Sequence, residues 1–592
     1  MKKRIVLYVL VVFAILSCNR IKENPDITEN ELLSHVEFLA SDSLKGRYPG
    51  TQEDFVAASY IAAEFRKAGL SWFTENGLQE FEVISHLEMG KNNTFQLEDF
   101  TGVPGKDFVP APFSSNKSLD GEVIFCGYGF EIDNNELKWN DYSGLDVSGK
   151  WVMVLRGDPL PDQSMSVYSS YSNDRDKGMV AIDNGASGII YVSGPIFDPY
   201  DELLSLKSKE SPVGIPAIHI SRNLADMILK STGNTIENLE KNINKKLNPV
   251  SFNTGINVKG SSEIIPHKVH TFNVVGYIEG SHPMKKNHWI ILGAHYDHLG
   301  MGGQATSTRR PDTISVHYGA DDNASGVATL IEIAEKIALS ETKPDRSFMF
   351  LAFGAEEMGL VGSKYFVDSS MVPLNQVSLM MNLDMVGRMN NHQLQVIGTG
   401  TSDKSEEIVK SFALKDSITL MTNPEGFGAS DQSSFYNKDI PVLFLTTGVH
   451  TDYHTPADRP DKINYSGMVR VADYAYQILD SISRLDSMLT FQEAGPKTMN
   501  TTRLRRGKIT LGIMPDVTSM DDSAGMRVEF VTPGKPADLG GMKKGDMILA
   551  IEGKPVNNVY DYMFRLQKLN RGQMVIVTVD RNGTKLDLLI QL

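Results

Sequence analysis

Apolar and polar positions divide the chain into four stretches of different rhythm. Leu32, Val36 and Leu39 recur at helical spacing behind Thr28 and Glu31, which read as a capping box. Phe55, Ala58, Ala62 and Phe65 repeat that spacing behind Thr51 and Asp54, and Gly69 stops the second helix. Over 96–261 the rhythm changes to short β runs broken by Gly, Asn, Asp and Pro. Examples are Val123-Ile124-Phe125, Trp151-Val152-Met153-Val154-Leu155 and Ile189-Ile190-Tyr191-Val192. From 262 to 488, apolar strands alternate with amphipathic helices. The strands are Trp289-Ile290-Ile291-Leu292, Phe348-Met349-Phe350-Leu351, Val377-Ser378-Leu379-Met380-Met381 and Pro441-Val442-Leu443-Phe444-Leu445, and the helices include 324–339 and 466–485. Strands that are apolar throughout must be covered on both faces, which predicts an α/β domain with helices on each side of a mixed sheet. A polar linker at 489–505 precedes a last unit, 506–592, rich in short strands.

Composition narrows the function classes. The chain has 592 residues, 41% hydrophobic and 22% charged, with 58 Lys plus Arg against 73 Asp plus Glu and a net charge of −15. That length exceeds one core and predicts about three domains. An acidic chain repels phosphate backbones, so no nucleic-acid partner is expected. Two cysteines, Cys18 and Cys126, exclude a disulfide scaffold and a Cys-rich zinc site, and Cys126 reads as a buried strand thiol. Lys2-Lys3-Arg4 followed by the apolar run 5–16 is too short to span a membrane and reads as a signal peptide over 1–17. Ile15-Leu16-Ser17-Cys18 resembles a bacterial lipobox. The expectation is an exported protein of the cell envelope, lipid-anchored through Cys18 and facing the periplasm.

Candidate chemistry sits just past the strands. Gly293-Ala294-His295-Tyr296-Asp297-His298, Gly354-Ala355-Glu356-Glu357, Asn382-Leu383-Asp384 and Asp452-Tyr453-His454 each follow an apolar run. Ligand sites in open α/β sheets lie beyond the carboxyl ends of the strands, so these groups converge on one crevice. Asp321 and Asp322 stand where a loop enters a helix and add a fifth candidate. Two imidazoles and three carboxylates without thiolate suit catalytic zinc, with other divalent ions open. Five ligands exceed the need of one ion and fit two ions sharing a carboxylate.

These motifs, with Gly319-Ala320-Asp321-Asp322-Asn323-Ala324-Ser325-Gly326 between the first and second, resemble the co-catalytic di-zinc aminopeptidases. That family includes relatives of glutamate carboxypeptidase and glutaminyl cyclase. Ser41-Asp42-Ser43-Leu44-Lys45-Gly46-Arg47 is similar to its N-terminal lead-in, which assigns 26–95 and 262–488 to a zinc peptidase domain with 96–261 inserted. The resemblance implies two zinc ions: His295 and Asp384 on one, Glu357 and His454 on the other, Asp322 bridging. It implies Glu356 as general base, Asp297 orienting His295, Tyr453 donating to the oxyanion, and a cis peptide at Asp322-Asn323. Asp321 is the rival bridge, His298 and His450 stay outside the ligand set, and Gln432 stands where relatives often carry His.

Tyr142-Ser143-Gly144-Leu145-Asp146-Val147-Ser148-Gly149-Lys150 and the stretch 177–186 look like a protease-associated domain, mainly β, inserted in the peptidase. The last unit looks like a PDZ module, with Leu511, Gly512 and Ile513 as the loop that captures a C-terminal carboxylate and 560–569 as its groove helix. Docking of this module onto the catalytic domain is the alternative. The implied activity is hydrolysis of the N-terminal peptide bond of peptides. A carboxypeptidase using Arg309, Arg310 or Arg388, a one-zinc glutaminyl cyclase and an inactive scaffold are the rivals.

Overall fold

A computed structural model describes residues 26–592 apart from 99, 135–136, 162–165, 207–210, 304–305, 414–417, 496, 498–509, 516–524, 533 and 571. The predicted signal peptide, Cys18 and much of the predicted linker lie outside the described residues. Among the described residues no helix is long and apolar enough to cross a membrane.

The catalytic unit is a nine-stranded mixed sheet. Its centre is parallel: Ser347–Phe353, Trp289–His295, Val377–Leu383 and Val442–Thr446 lie side by side in that order. Successive residues of one strand feed different cores, as the period of two demands. Ile290, Leu292 and Ala294 pack with helices Glu29–Leu39, Gln52–Ala68, Gly326–Leu339 and Tyr465–Arg484, while Ile291 packs with Phe366 and Phe435 on the opposite face. Both faces are therefore covered, as the continuous apolar runs predict. The first two helices form as their caps dictate. Thr28 and Glu31 make the reciprocal capping box, Thr51 accepts from the Asp54 N–H, and Gly69 closes the second helix at φ 88°.

A two-stranded ribbon, Leu78–Met89 against Ile264–Ile278, carries the insert away from this sheet. The insert has its own eight-stranded sheet, which begins at Thr94 and ends at Ser261. Three of its helices, Asp174–Asp183, Arg222–Leu229 and Ile236–Lys246, add to the short strands that the sequence pattern displays. The latter two start at Ser221 and Thr235, whose side chains accept from N–H groups of the first turn. Cys126 is buried at the end of strand Ser118–Cys126, and burial raises its thiol pKa.

The last unit is a small six-stranded sheet flanked by helices Pro536–Leu539 and Val559–Gln567. Among the described residues it docks on the insert. Phe564 enters the insert core beside Met179 and Val180. Arg565 Nη1 donates to both oxygens of Asp183, at 2.6 and 2.7 Å, and Lys554 and Lys568 approach the same carboxylate. Arg175 Nη2 donates to Asp561 at 2.7 Å. Both arginine–aspartate pairs are buried. The helix Val559–Gln567, the groove helix of the PDZ reading, is thus fixed to the insert through Asp561, Phe564 and Arg565. Leu511 is buried, and Gly512 turns at φ 77°, where a Cβ would lie 2.2 Å from Lys535 Cβ.

Candidate metal centre

Four parallel or adjoining strands end on one side of the catalytic sheet, and each end contributes a side chain. His295 is the last residue of its strand, Asp384 follows Leu383, and Glu356 and Glu357 follow Phe353 after a two-residue turn. His454 arrives on the loop beyond Thr446 in a left-handed conformation, φ 57°. Asp322 sits in the turn that opens helix Gly326–Leu339, and its peptide bond to Asn323 is cis, as the resemblance implies. Gly319, at φ 55°, is required there. A Cβ would meet the Asp322 carbonyl at 2.2 Å and the His298 ring at 2.6 Å.

These residues form two donor groups that share Asp322. One is His295, Asp322 and Asp384; the other is His298, Asp322 and Glu357. Asp322 Oδ1 lies 3.2 Å from His295 Nε2, and Asp322 Oδ2 lies 3.2 Å from His454 Nε2. Asp384 Oδ1 is 3.4 Å from His295 Nε2, and Glu357 Oε2 is 3.2 Å from His454 Nε2. All five metal ligands implied by the resemblance are thus brought together.

The imidazoles are oriented from behind. His295 Nδ1 faces the Asp297 carbonyl at 3.2 Å, and His454 Nδ1 faces the Ser307 carbonyl at 3.0 Å. A proton on each Nδ1 leaves each Nε2 lone pair directed at the carboxylates, the tautomer a metal ligand needs. Asp297 contacts both His295 and the glutamate turn. Its carboxylate stands 3.8 Å from His295 Nδ1, and its two oxygens accept the N–H groups of Glu356 and Glu357 at 2.9 and 3.2 Å. The backbone of Asp297 orients the histidine, and its side chain fixes the glutamate turn.

Three further residues emerge. His298 Nδ1 lies 2.8 Å from Glu357 Oε1, so this imidazole belongs to the second donor group although the sequence reading leaves it out. Asp458 Oδ2 accepts from the N–H groups of Asp321 and Asp322 at 2.8 and 3.0 Å. Arg47, fully buried, donates to the carbonyls of Tyr296, Tyr318 and Gly319, which adjoin both donor groups. Asp321 points away from the centre, accepting from Gly387 N–H and Ser325 Oγ and facing His450 Nε2 at 3.2 Å. Gln432 is buried and accepts from Asn382 Nδ2 beside Ser430, which itself donates to Asp384 Oδ2 at 2.7 Å. It braces the strand end.

The electrostatics call for a cation. Burial opposes charge on Asp322, yet His295 and His454 hold its carboxyl well below the usual range. Burial and Asp322 press Glu357 upward, but His298 and His454 prevail and bring it to about 2. His454 is lifted to about 10 by Asp322 and Glu357 against its burial. Burial pushes Asp297 up to about 8 and drives Glu356 well above the carboxylate range, with Glu357, Asp431 and Asp384 adding to it. Asp384 Oδ1 and His298 Nε2 are buried without a hydrogen-bond partner in the protein. Nitrogen and carboxylate donors left open in this way fit divalent ions of the zinc kind. Tyr453, whose pKa burial raises, stacks on His454 with ring centroids 3.7 Å apart.

Residues 273–479 match Peptidase family M28, 119–228 the PA domain and 510–592 the PDZ domain. The chain is similar to Aminopeptidase YwaD of Bacillus subtilis (strain 168), 24% identical over 448 residues, which are 73% of this chain and 80% of that protein. It is also similar to Probable glutamate carboxypeptidase AMP1 of Arabidopsis thaliana, 24% identical over 437 residues, 67% of this chain and 56% of the relative. Among solved structures, the aminopeptidase from Aneurinibacillus sp. strain AM-1 aligns over 80% of this chain and 97% of its own, with 22% identity and a TM-score of 0.47.

Proposed function

We propose that this chain, whose residues 273–479 match Peptidase family M28, is a two-metal aminopeptidase, exported and lipid-anchored at Cys18, that releases N-terminal residues from peptides. The observation that carries this reading is the carboxylate of Asp322, whose oxygens face two separate sets of donors. In this reading His295 and Asp384 hold one ion, and Glu357, His454 and His298 the other. Zinc-type ions bound there supply Lewis acidity and an activated water at neutral pH.

The chain's own residues do the rest. Glu356 takes a proton from the attacking water and passes it to the leaving amine, the two halves of a general base's task. Tyr453 donates its hydroxyl hydrogen to the oxyanion, held in place by its stack on His454. The carboxylates of Glu356 and Asp384 favour the substrate's free ammonium group. Of the three arginines a carboxypeptidase could use, Arg388 is engaged: its Nη2 donates to Asp452 at 3.4 Å and to Asp458 at 3.1 Å. The chain aligns with 80% of Aminopeptidase YwaD against 56% of Probable glutamate carboxypeptidase AMP1, which supports the aminopeptidase reading. The PDZ unit takes a C-terminal peptide at Leu511, Gly512 and Ile513. Export rests on Lys2-Lys3-Arg4, the run 5–16 and Cys18.

Glu356→Gln tests the reading. Elemental analysis is expected to find two ions per chain in both proteins, while turnover of leucine p-nitroanilide falls by about 10²- to 10⁴-fold, the usual contribution of a general base. An active Glu356→Gln enzyme, or a wild-type chain that binds one ion, overturns it.

A further inference from the structure

Two of the arginines near the centre are engaged. Arg47 is consumed by backbone carbonyls and Arg388 by Asp452 and Asp458. Arg309 differs. Its guanidinium lies 4.9 Å from the centroid of the Tyr453 ring, and among the described residues no carboxylate stands within ion-pair distance of it. Tyr453 in turn stacks on His454, so this exposed charge is one aromatic ring away from the second donor group.

The segment that presents Arg309 is held tightly. Arg309 N–H donates to the His454 carbonyl at 3.0 Å, and Thr308 Oγ1 donates to that same carbonyl at 3.2 Å. Thr308 Oγ1 also meets the buried His317 Nε2 at 2.6 Å, and Ser307 Oγ donates to Glu357 Oε2 at 3.2 Å. A positive group is thereby anchored to the ligand loop of a centre whose other walls, Glu356, Glu357, Asp384 and Asp431, are acidic. In a chain of net charge −15, a cation in that place left without a partner is an electrostatic complement waiting for an anion.

We infer that Arg309 is a specificity-determining residue that receives a carboxylate on the leaving-group side of the scissile bond. The inference rests on the aminopeptidase reading above. The ammonium end of the substrate goes to the acidic walls, and Tyr453 lies at the carbonyl oxygen between. The guanidinium beside the Tyr453 ring then meets the residue that departs. On a short peptide the anions available there are the terminal carboxylate of a dipeptide and the side chain of Asp or Glu, and a guanidinium binds either through paired N–H donors.

Five substrates and two variants test this. Wild-type enzyme is assayed on Leu-Gly against Leu-Gly-amide, and on Leu-Glu-amide against Leu-Gln-amide; leucine p-nitroanilide reports basal turnover. The expected result is a preference of about tenfold in kcat/KM for the carboxylate member of at least one pair. The first pair identifies the main-chain terminus as the source and the second the acidic side chain. Arg309→Gln is expected to bring that ratio close to one, and Arg309→Lys to keep part of it. A ratio that survives in Arg309→Gln, or a wild-type enzyme that cleaves the anilide without discriminating within either pair, overturns the inference and leaves the aminopeptidase reading intact. A metal-loaded wild-type enzyme that does not cleave the anilide overturns the aminopeptidase reading itself, and this inference with it.

Discussion

The docking of the PDZ unit on the insert hangs on Asp183, and removing that side chain measures how strongly. Asp183 accepts both hydrogen bonds from Arg565 Nη1 and faces Lys554 Nζ at 3.1 Å and Lys568 Nζ at 3.4 Å. Its side chain and that of Arg565 are each 2% exposed. In Asp183→Ala a guanidinium stays buried without its counter-ion, a defect that costs about 3–5 kcal/mol. At about 1.4 kcal/mol per factor of ten, docking should weaken by roughly 10²- to 10³·⁵-fold. The second pair, Arg175 with Asp561, and the seat of Phe564 oppose separation but leave the Asp183 defect uncorrected. Hydrogen exchange should therefore quicken along helices Val559–Gln567 and Asp174–Asp183 while the catalytic strands keep their protection, and small-angle scattering should report a longer particle. The neutral pair Asp183→Asn with Arg565→Gln, which removes both charges and keeps polar contact, should recover most of the protection. If Asp183→Ala leaves both the exchange of those helices and the scattering profile unchanged, the clamp does not hold the domains and the reasoning is wrong.

Three further outcomes follow from the same structure. Arg47→Met leaves the carbonyls of Tyr296, Tyr318 and Gly319 buried without a donor, at about 1–3 kcal/mol each, so calorimetry should place the peptidase-domain transition roughly 10 °C lower, with Arg47→Lys recovering part; a shift within about 1 °C contradicts the assignment. Asp141, buried in the insert, has its carboxyl pushed up to about 7 by burial, so the native state keeps a proton that the unfolded chain loses near pH 4. Stability of the insert should accordingly fall as pH rises from about 4 to 7, by up to about 4 kcal/mol, and level off above. Urea unfolding of Asp141→Asn should lack that slope, and an unchanged slope refutes the cause. Chelation should abolish turnover and lower the melting temperature of the peptidase domain, because Asp322, Asp384, Glu356 and Glu357 then repel one another in a buried pocket; a chelated enzyme that melts unchanged would show that no ion neutralises them.

Where the pattern of the chain is local, it announces the fold. The strands from Trp289, Ser347, Val377 and Val442 are legible because they are apolar throughout, and a chemistry-bearing residue follows each one. The caps at Thr28 and Thr51 fix the first two helices within a residue. The insert hides more. Helix Asp174–Asp183 carries Arg175, Asp176 and Lys177 in its first turn and Gly178 near its middle, so no apolar stripe marks it. Gly178 is there for packing, since a Cβ would press on Tyr191 Oη and Val213 Cγ2 at 3.1 Å. The helices behind Ser221 and Thr235 had a readable signal, a capping hydroxyl before an amphipathic run, that the surrounding β pattern masks. The docking surface has no sequence signature at all, because Asp183 and Arg565 stand 382 residues apart and each alone is an ordinary charge.

The same distinction explains the centre. His295, Asp322, Glu357, Asp384 and His454 are legible because each is embedded in a short motif at a strand or helix end, where backbone geometry alone directs a side chain into the crevice. His298 is three residues past His295 on irregular backbone, where spacing implies no direction, and only the turn at Gly319 brings its ring against the Asp322 loop. Asp458 and Arg47 are a step further removed, because they act on main-chain N–H and carbonyl groups whose partners no side-chain motif encodes. Asp297 shows how the two kinds of information divide. Its place beside His295 is written in the sequence, but its carboxylate is spent on the N–H groups of Glu356 and Glu357, and its carbonyl takes the histidine. A motif therefore specifies which residues gather; the hydrogen-bond demand of the turns they sit on decides which atom of each does the work.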